Sequence, residues 1–142
     1  MIYAADVRAI WDQIKPGVEQ IHSSMPWVEW RPEDIYASCI SGESALFVQD
    51  EKNPGASFFV AKVITSQSGE RRFFIWVAWS PEEPGAEIAN GAITDIAVKS
   101  NCTSIGFVTN NHTLVDHAKK YGFDKVMYDV RKNIGSGINS AL

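Results

Sequence analysis

The sequence predicts a mixed α/β fold: one mixed central sheet, an antiparallel meander in its first half, a β-α-β-α-β second half, and helices on both faces. Three observations carry this. The β-rich runs "ALFVQ", "SFFVAKVIT" and "RRFFIWVAW" are separated by turn sequences around "NPG" and "SQSGE", too short for a crossover, so neighbouring strands run antiparallel. From residue 88 onward, helical stripes alternate with short apolar runs, the pattern of crossover connections. The strand "RRFFIWVAW" is apolar at nearly every position, which marks it as central and covered on both faces.

Taken in order, residues 6–25 form an amphipathic helix. Val7, Ile10, Trp11, Ile14, Val18 and Ile21 recur at steps of three and four. Pro16 lies inside that pattern and is expected to kink the helix or split it. A short second helix follows in "WRPEDIYASCISGES". Pro32 suits its first turn, and Glu33 and Asp34 suit the positive end of the helix dipole. Ile35, Tyr36, Cys39 and Ile40 share one face, and Gly42 is a natural stop. The three meander strands come next, with Trp76 inside the third and expected to be buried there.

After a loop rich in Pro and Glu, Ile88, Ala89, Ala92, Ile93, Ile96 and Ala97 make a helical stripe. "TSIGFV" reads as a buried strand. "NHTLVDHAKKYGF" reads as a helix capped by Asn111 or Asn110, with Leu114, Val115 and Ala118 inward and Gly122 at its end. "DKVMYDVRK" closes as a strand with Val126, Tyr128 and Val130 on one side. No strand is read before the first helix. A single domain is therefore expected over residues 1–134, with 135–142 as a flexible tail.

The totals narrow the function. The chain has 142 residues, 45% of them apolar and 21% charged, and a net charge of -4. That composition suits a soluble globular domain. No basic stripe is present for nucleic acid, and an acidic surface disfavours anionic membranes. No run approaches the roughly 20 apolar residues of a membrane span, and no secretory leader is read, so a cytoplasmic location is expected. Two cysteines, Cys39 and Cys102, form no CxxC motif and suit a reducing compartment. His112 and His117 are five apart and do not share a helix face, so no metal site is expected. GxSxG and P-loop motifs are absent.

The element order resembles the GCN5-related N-acetyltransferase (GNAT) fold without its usual first strand. The likeness runs over roughly residues 6–134 and is strongest in "NHTLVDHAKKYGFDKV", similar to the GNAT segment where an Asn opens a helix that ends in Gly-Phe. "MPWVEWRPEDIYASCISGESALFV", "FFIWVAW" and "AVKSNCTSIGF" resemble small GNAT-like proteins of tailed bacteriophages.

That resemblance implies a place for acetyl-CoA between splayed strands ending at Trp79 and Val108. Backbone groups at Gly85, Ala86 and Glu87 would hold the pyrophosphate, and Asn111 would lie close by. The matching loop here is "PEEPGAE". The leading Gln or Arg of the family pattern is missing, Pro84 has no N–H to donate, and Glu82, Glu83 and Glu87 repel phosphate. The position of the family's catalytic Tyr is Ala118, which leaves Tyr121 and His117 as acid candidates. Glu29 is the candidate base, with Glu33, Asp34 and Asp95 as further carboxylates. The expectation is a GNAT-fold, phage-encoded protein with a degenerate acyl-CoA site and no required cofactor, acting as a binding, virion or assembly component beside a phage or host protein. Two readings stay open: an active acyl-CoA-dependent N-acetyltransferase, and an inhibitor of a host protein acting through Trp27 and Trp30.

Overall fold

The computed structural model describes residues 2–80 and 91–135. Strand β1 is Tyr3–Ala5, followed by helices α1 (Val7–Ser24) and α2 (Pro32–Ser41). Strand β2 (Ala45–Val48) leads through a 3-10 turn at Pro54–Ala56 to β3 (Phe58–Thr65) and β4 (Arg71–Trp79). Then come α3 (Gly91–Lys99), β5 (Ser104–Phe107) and α4 (His112–Lys119). The strands form one sheet in the order β1-β2-β3-β4-β5. All pairs are antiparallel except β4 with β5, which is parallel, as the turn lengths predict.

Local chemistry accounts for the helix ends. The Asp6 carboxylate accepts from Arg8 N–H at 3.0 Å and caps α1. The Asp34 carboxylate accepts from Arg31 N–H at 2.8 Å and closes the start of α2. Gly42 ends α2 at φ 83°, a left-handed conformation that glycine adopts without steric cost. Asn111 caps α4 by accepting from the N–H groups of Thr113 and Leu114.

Each sheet face carries its own core. On one face Ile14, Val18, Ile21 and Ile35 from α1 and α2 pack on Leu46, Val48, Phe58, Val60 and Val77. On the other, Ile93 and Ala97 of α3 pack on Phe59, Ala61, Phe73 and Ile75. The register of β3 with β4 shifts in mid-strand: Val60 faces Val77, but Ala61 faces Ile75. Trp76 is the extra residue, a β-bulge. Before it, Phe73 and Ile75 face α3; after it, Val77 and Trp79 face α1.

Four expectations need correction. A first strand exists: β1 pairs along Tyr3↔Val48, Ala4↔Phe47 and Ala5↔Leu46, a strand defined by its neighbour more than by its own three residues. The closing strand does not form: residues 123–135 lie outside every strand, because an alternating pattern makes no strand without an edge to pair with. Helix α1 is not split at Pro16 and runs 18 residues through it, held by its buried face. Trp76 is half-buried, its bulge position lifting it out of strict alternation. Residues 88 and 89 and the predicted tail beyond 135 lie outside the described residues.

Two stability outcomes follow. A Cβ at Gly17 of α1 would lie 2.9 Å from the Phe58 ring and 3.1 Å from Cγ of Trp79. Alanine ordinarily gains about 1 kcal/mol over glycine in a helix, but overpacking a core costs about 1–3 kcal/mol. Gly17→Ala is therefore expected to lower stability in a urea titration, and a stabilised variant would contradict this packing. Trp76→Ala is expected to cost about 2 kcal/mol in the same assay, below the roughly 3–5 kcal/mol of a fully buried aromatic.

Candidate functional site

The most distinctive backbone feature lies between β4 and β5. Their parallel ladder runs from Arg72↔Ser104 to Ile75↔Phe107. It is fastened at the start. Arg71 C=O accepts from Thr103 N–H at 2.8 Å. The Arg71 guanidinium donates to the carbonyls of Ser100 and Asn101 at 3.1 and 3.2 Å, placing a cation where the end of α3 exposes carbonyl oxygens. The Arg72 side chain lies across Gly106, where a Cβ would sit 3.0 Å from its Cδ.

The other end is open. The ladder stops at Ile75, one residue before the bulge, while β4 continues to Trp79 paired only with β3. Strand β5 ends at Phe107, and Val108 beyond it is 57% exposed. Along residues 76–79, the β4 edge that faced β5 has no strand partner among the described residues.

The predicted cofactor residues divide. Trp79 and Val108 flank the open end, but the Trp79 side chain turns away and packs with the α1 core beside Gly17. Trp79 therefore offers backbone, not its ring. Asn111 commits its side-chain oxygen to capping α4. Gly85, Ala86 and Glu87 lie outside the described residues.

The acid candidates come together: the rings of His117 and Tyr121 are 5.2 Å apart at the end of α4, with Tyr121 exposed. Ala118, at the family's Tyr position, is buried. Glu29 stands apart from them on an exposed loop, where its carboxylate accepts from Arg131 Nη1 at 2.7 Å. Arg131 also binds Asp129 at 2.8 Å, and that hydrogen bond holds the Asp129 carboxyl below the usual carboxylate range. The Asp34 carboxyl is likewise held low, chiefly by the Arg31 backbone N–H. Asp34 thus does structural work at a helix start, and Asp95 is an exposed residue of α3.

Half-burial pushes the Cys39 thiol up to about 11, far from a thiolate at neutral pH. Both cysteines are free. Among the described residues no group of three His, Cys, Asp or Glu side chains is placed to hold a metal ion, and no helix is long and apolar enough to cross a membrane.

Sequence reasoning missed the bulge at Trp76, the Arg71 fastening and an aromatic cluster. His22 and Trp30 have ring centroids 5.2 Å apart, Trp30 meets Trp76 edge-on at 6.3 Å, and Lys62 Nζ stands 4.3 Å over the Trp76 ring. Trp27 is 43% exposed, while Trp30 is half-buried in this cluster.

No protein-family profile matches the sequence, and no curated protein matches it in sequence. Solved structures do match in fold. A putative acetyl transferase from Pyrococcus furiosus superposes with a TM-score of 0.67 at 16% identity, over 94% of this chain and 100% of that one. A crystal structure of a probable acetyltransferase gives 0.66 at 14% identity, over 94% and 96%. A predicted acetyltransferase from Clostridium acetobutylicum, solved with acetyl-CoA, gives 0.65 at 16% identity, over 94% and 96%. With its five-stranded mixed sheet and helices on both faces, the chain has the fold of the GNAT acetyltransferases.

Proposed function

We propose that this chain binds an acyl-coenzyme A thioester in the open end of the β4–β5 split and transfers the acyl group to an amine. The carrying observation is the free edge of β4 beyond Ile75, beside the end of β5. The pantetheine arm of coenzyme A is extended and carries amides along its length, so it can pair with residues 76–79 as an added strand would. The similar structure solved with acetyl-CoA supports the same ligand class.

In the transfer, the amine nitrogen attacks the thioester carbonyl, the C–S bond breaks, and the sulfur leaves as a thiolate that takes up a proton. Tyr121, beside His117, is the candidate proton donor. Glu29 is already ion-paired with Arg131, which makes it a poor base for the incoming amine. Gly85, Ala86 and Glu87 remain the proposed pyrophosphate contacts, with Asn111 close by.

A second reading is favoured by the loop sequence. Pro81 and Pro84 supply no N–H, and Glu82, Glu83 and Glu87 put three negative charges beside the proposed phosphate position. On this reading the fold is retained without catalysis, in a phage-encoded component of a virion or assembly located in the host cytoplasm or the particle. The two are separated by calorimetry with acetyl-CoA. Saturable binding tighter than about 50 μM (about -6 kcal/mol) is expected of an acyl-CoA site. The double variant Glu82→Gln/Glu83→Gln is expected to bind more tightly, by roughly 1 kcal/mol per charge removed. Ala78→Trp, at an exposed position on the free stretch of β4, is expected to abolish binding without lowering the melting temperature. Absence of binding by the parent and the Gln variant alike would refute the acyltransferase reading and leave the non-catalytic one.

A further inference from the structure

Of the 13 Lys and Arg residues, Lys62, Arg71 and Arg72 alone are half-buried, and the rest are exposed. Arg71 spends its guanidinium on the carbonyls of Ser100 and Asn101. Lys62 and Arg72 form no ion pair among the described residues. The fork of N–H donors on Arg72 makes one long hydrogen bond, from Nε to Ser104 Oγ at 3.4 Å. Lys62 has the Trp76 ring as its neighbour. Both cations lie on the α1 face of the sheet. Phe73 and Ile75 point to the α3 core, so Arg72 and Phe74 point the other way. The registers Lys62↔Phe74 and Phe74↔Gly106 put Lys62 and Gly106 on that face too. Phe74 is half-buried there and belongs to neither core. The Arg72 side chain leans over Gly106, with Cδ 3.0 Å and Nε 3.7 Å from where a Cβ would sit. Val108, beside the open end, is two residues further along, roughly 7 Å at the rise of a strand.

We infer that this face takes an acceptor bearing a carboxylate as well as its amine, an amino acid in the chemical sense, with Arg72 as the partner of the carboxylate. The role of the amine rests on the acyl-transfer reading; the carboxylate site does not. A guanidinium meets a carboxylate through paired, charge-assisted hydrogen bonds, and Arg72 has the donors to spare. With the carboxylate held near Gly106, the amine extends toward Val108 and the free edge of β4. Charge sets the preference. A simple alkylamine is a cation at neutral pH, and Arg72 and Lys62 both repel it. An amino acid brings its own negative charge, so the same two cations that disfavour one class hold the other. In the transfer the free amine forms the bond to the acyl carbon and loses a proton, the C–S bond breaks, and the thiolate gains a proton. The carboxylate stays on Arg72 throughout.

The test is an NMR titration of the full chain, without coenzyme, using γ-aminobutyrate and butylamine, which differ only in the carboxylate. Ionic strength is held constant, because salt screens such contacts. Millimolar γ-aminobutyrate is expected to shift the Arg72 Nε–H and the amides of Ser104 and Gly106, and butylamine is expected to leave them in place. Arg72→Gln is expected to weaken binding at least about tenfold, the loss that follows removal of a charge-assisted hydrogen bond. Arg72→Lys, which keeps the charge, is expected to retain part of the affinity. Equal response to the two probes, response to neither, or shifts confined to other residues overturns the inference. So does an Arg72→Gln variant that binds as the parent does. Calorimetry with acetyl-CoA is read separately. A chain that binds acetyl-CoA and fails here keeps the acyl-transfer reading without this acceptor class. A chain that passes here and binds no acetyl-CoA keeps the carboxylate site and loses that reading.

Discussion

Strand β4 has two neighbours running in opposite directions, and the rest of the molecule follows from where each pairing stops. Strand β3 holds it from Arg71 to Trp79, while β5 holds it only from Arg72 to Ile75. The start of the parallel ladder is locked by the Arg71 guanidinium on the carbonyls of Ser100 and Asn101. The extra residue at Trp76 then adds local twist. Strand β5 ends at Phe107 opposite Ile75, and β4 runs on to Trp79 with β3 as its strand neighbour among the described residues. A strand edge left without a partner beside a core is costly unless something polar meets it, and the proposed acyl-CoA site rests on that edge.

The residues on either side of the bulge are firmly packed. Val77 and Trp79, just beyond the bulge, are packed on α1 through Phe58 and the bare backbone of Gly17. Phe73 and Ile75, just before it, are packed on α3. The bulge thus hands β4 from one core to the other, and residues on both sides of it are fixed by close packing. Lys62 over Trp76 and Trp30 at its edge close the α1 side.

The helix ends and meander were legible in the sequence because each rests on local chemistry. Asp6, Asn111 and Gly42 each act within a turn of the chain, and short turns leave antiparallel pairing as the simplest outcome. Features set by distant partners were not legible. Strand β1 exists only because β2 offers an edge. The segment at 124–132 has the alternation of a strand but pairs with no strand among the described residues. The bulge was hidden because Phe74, Ile75, Trp76 and Val77 are all apolar, so no change of period marks the extra residue. Of the candidate site, the sequence put Trp79 at a strand end, where β4 stops, and Val108 at another, one residue past the end of β5. It did not show that the Trp79 ring turns to the core, or that Glu29 is engaged by a residue 102 positions away. The pyrophosphate contacts proposed at Gly85, Ala86 and Glu87 rest on the sequence alone.

The central claim is that the β4 edge beyond Ile75 is open and becomes paired when an acyl-CoA binds. Amide hydrogen exchange read residue by residue by NMR addresses it directly. In the free protein, residues 73–75 should be protected on both edges of β4, whereas among residues 76–79 the amides directed away from β3 should exchange rapidly. Saturating acetyl-CoA should slow those same amides and leave residues 73–75 unchanged. Amides at 76–79 that are already fully protected without ligand, or that exchange equally fast with and without it, would contradict the account.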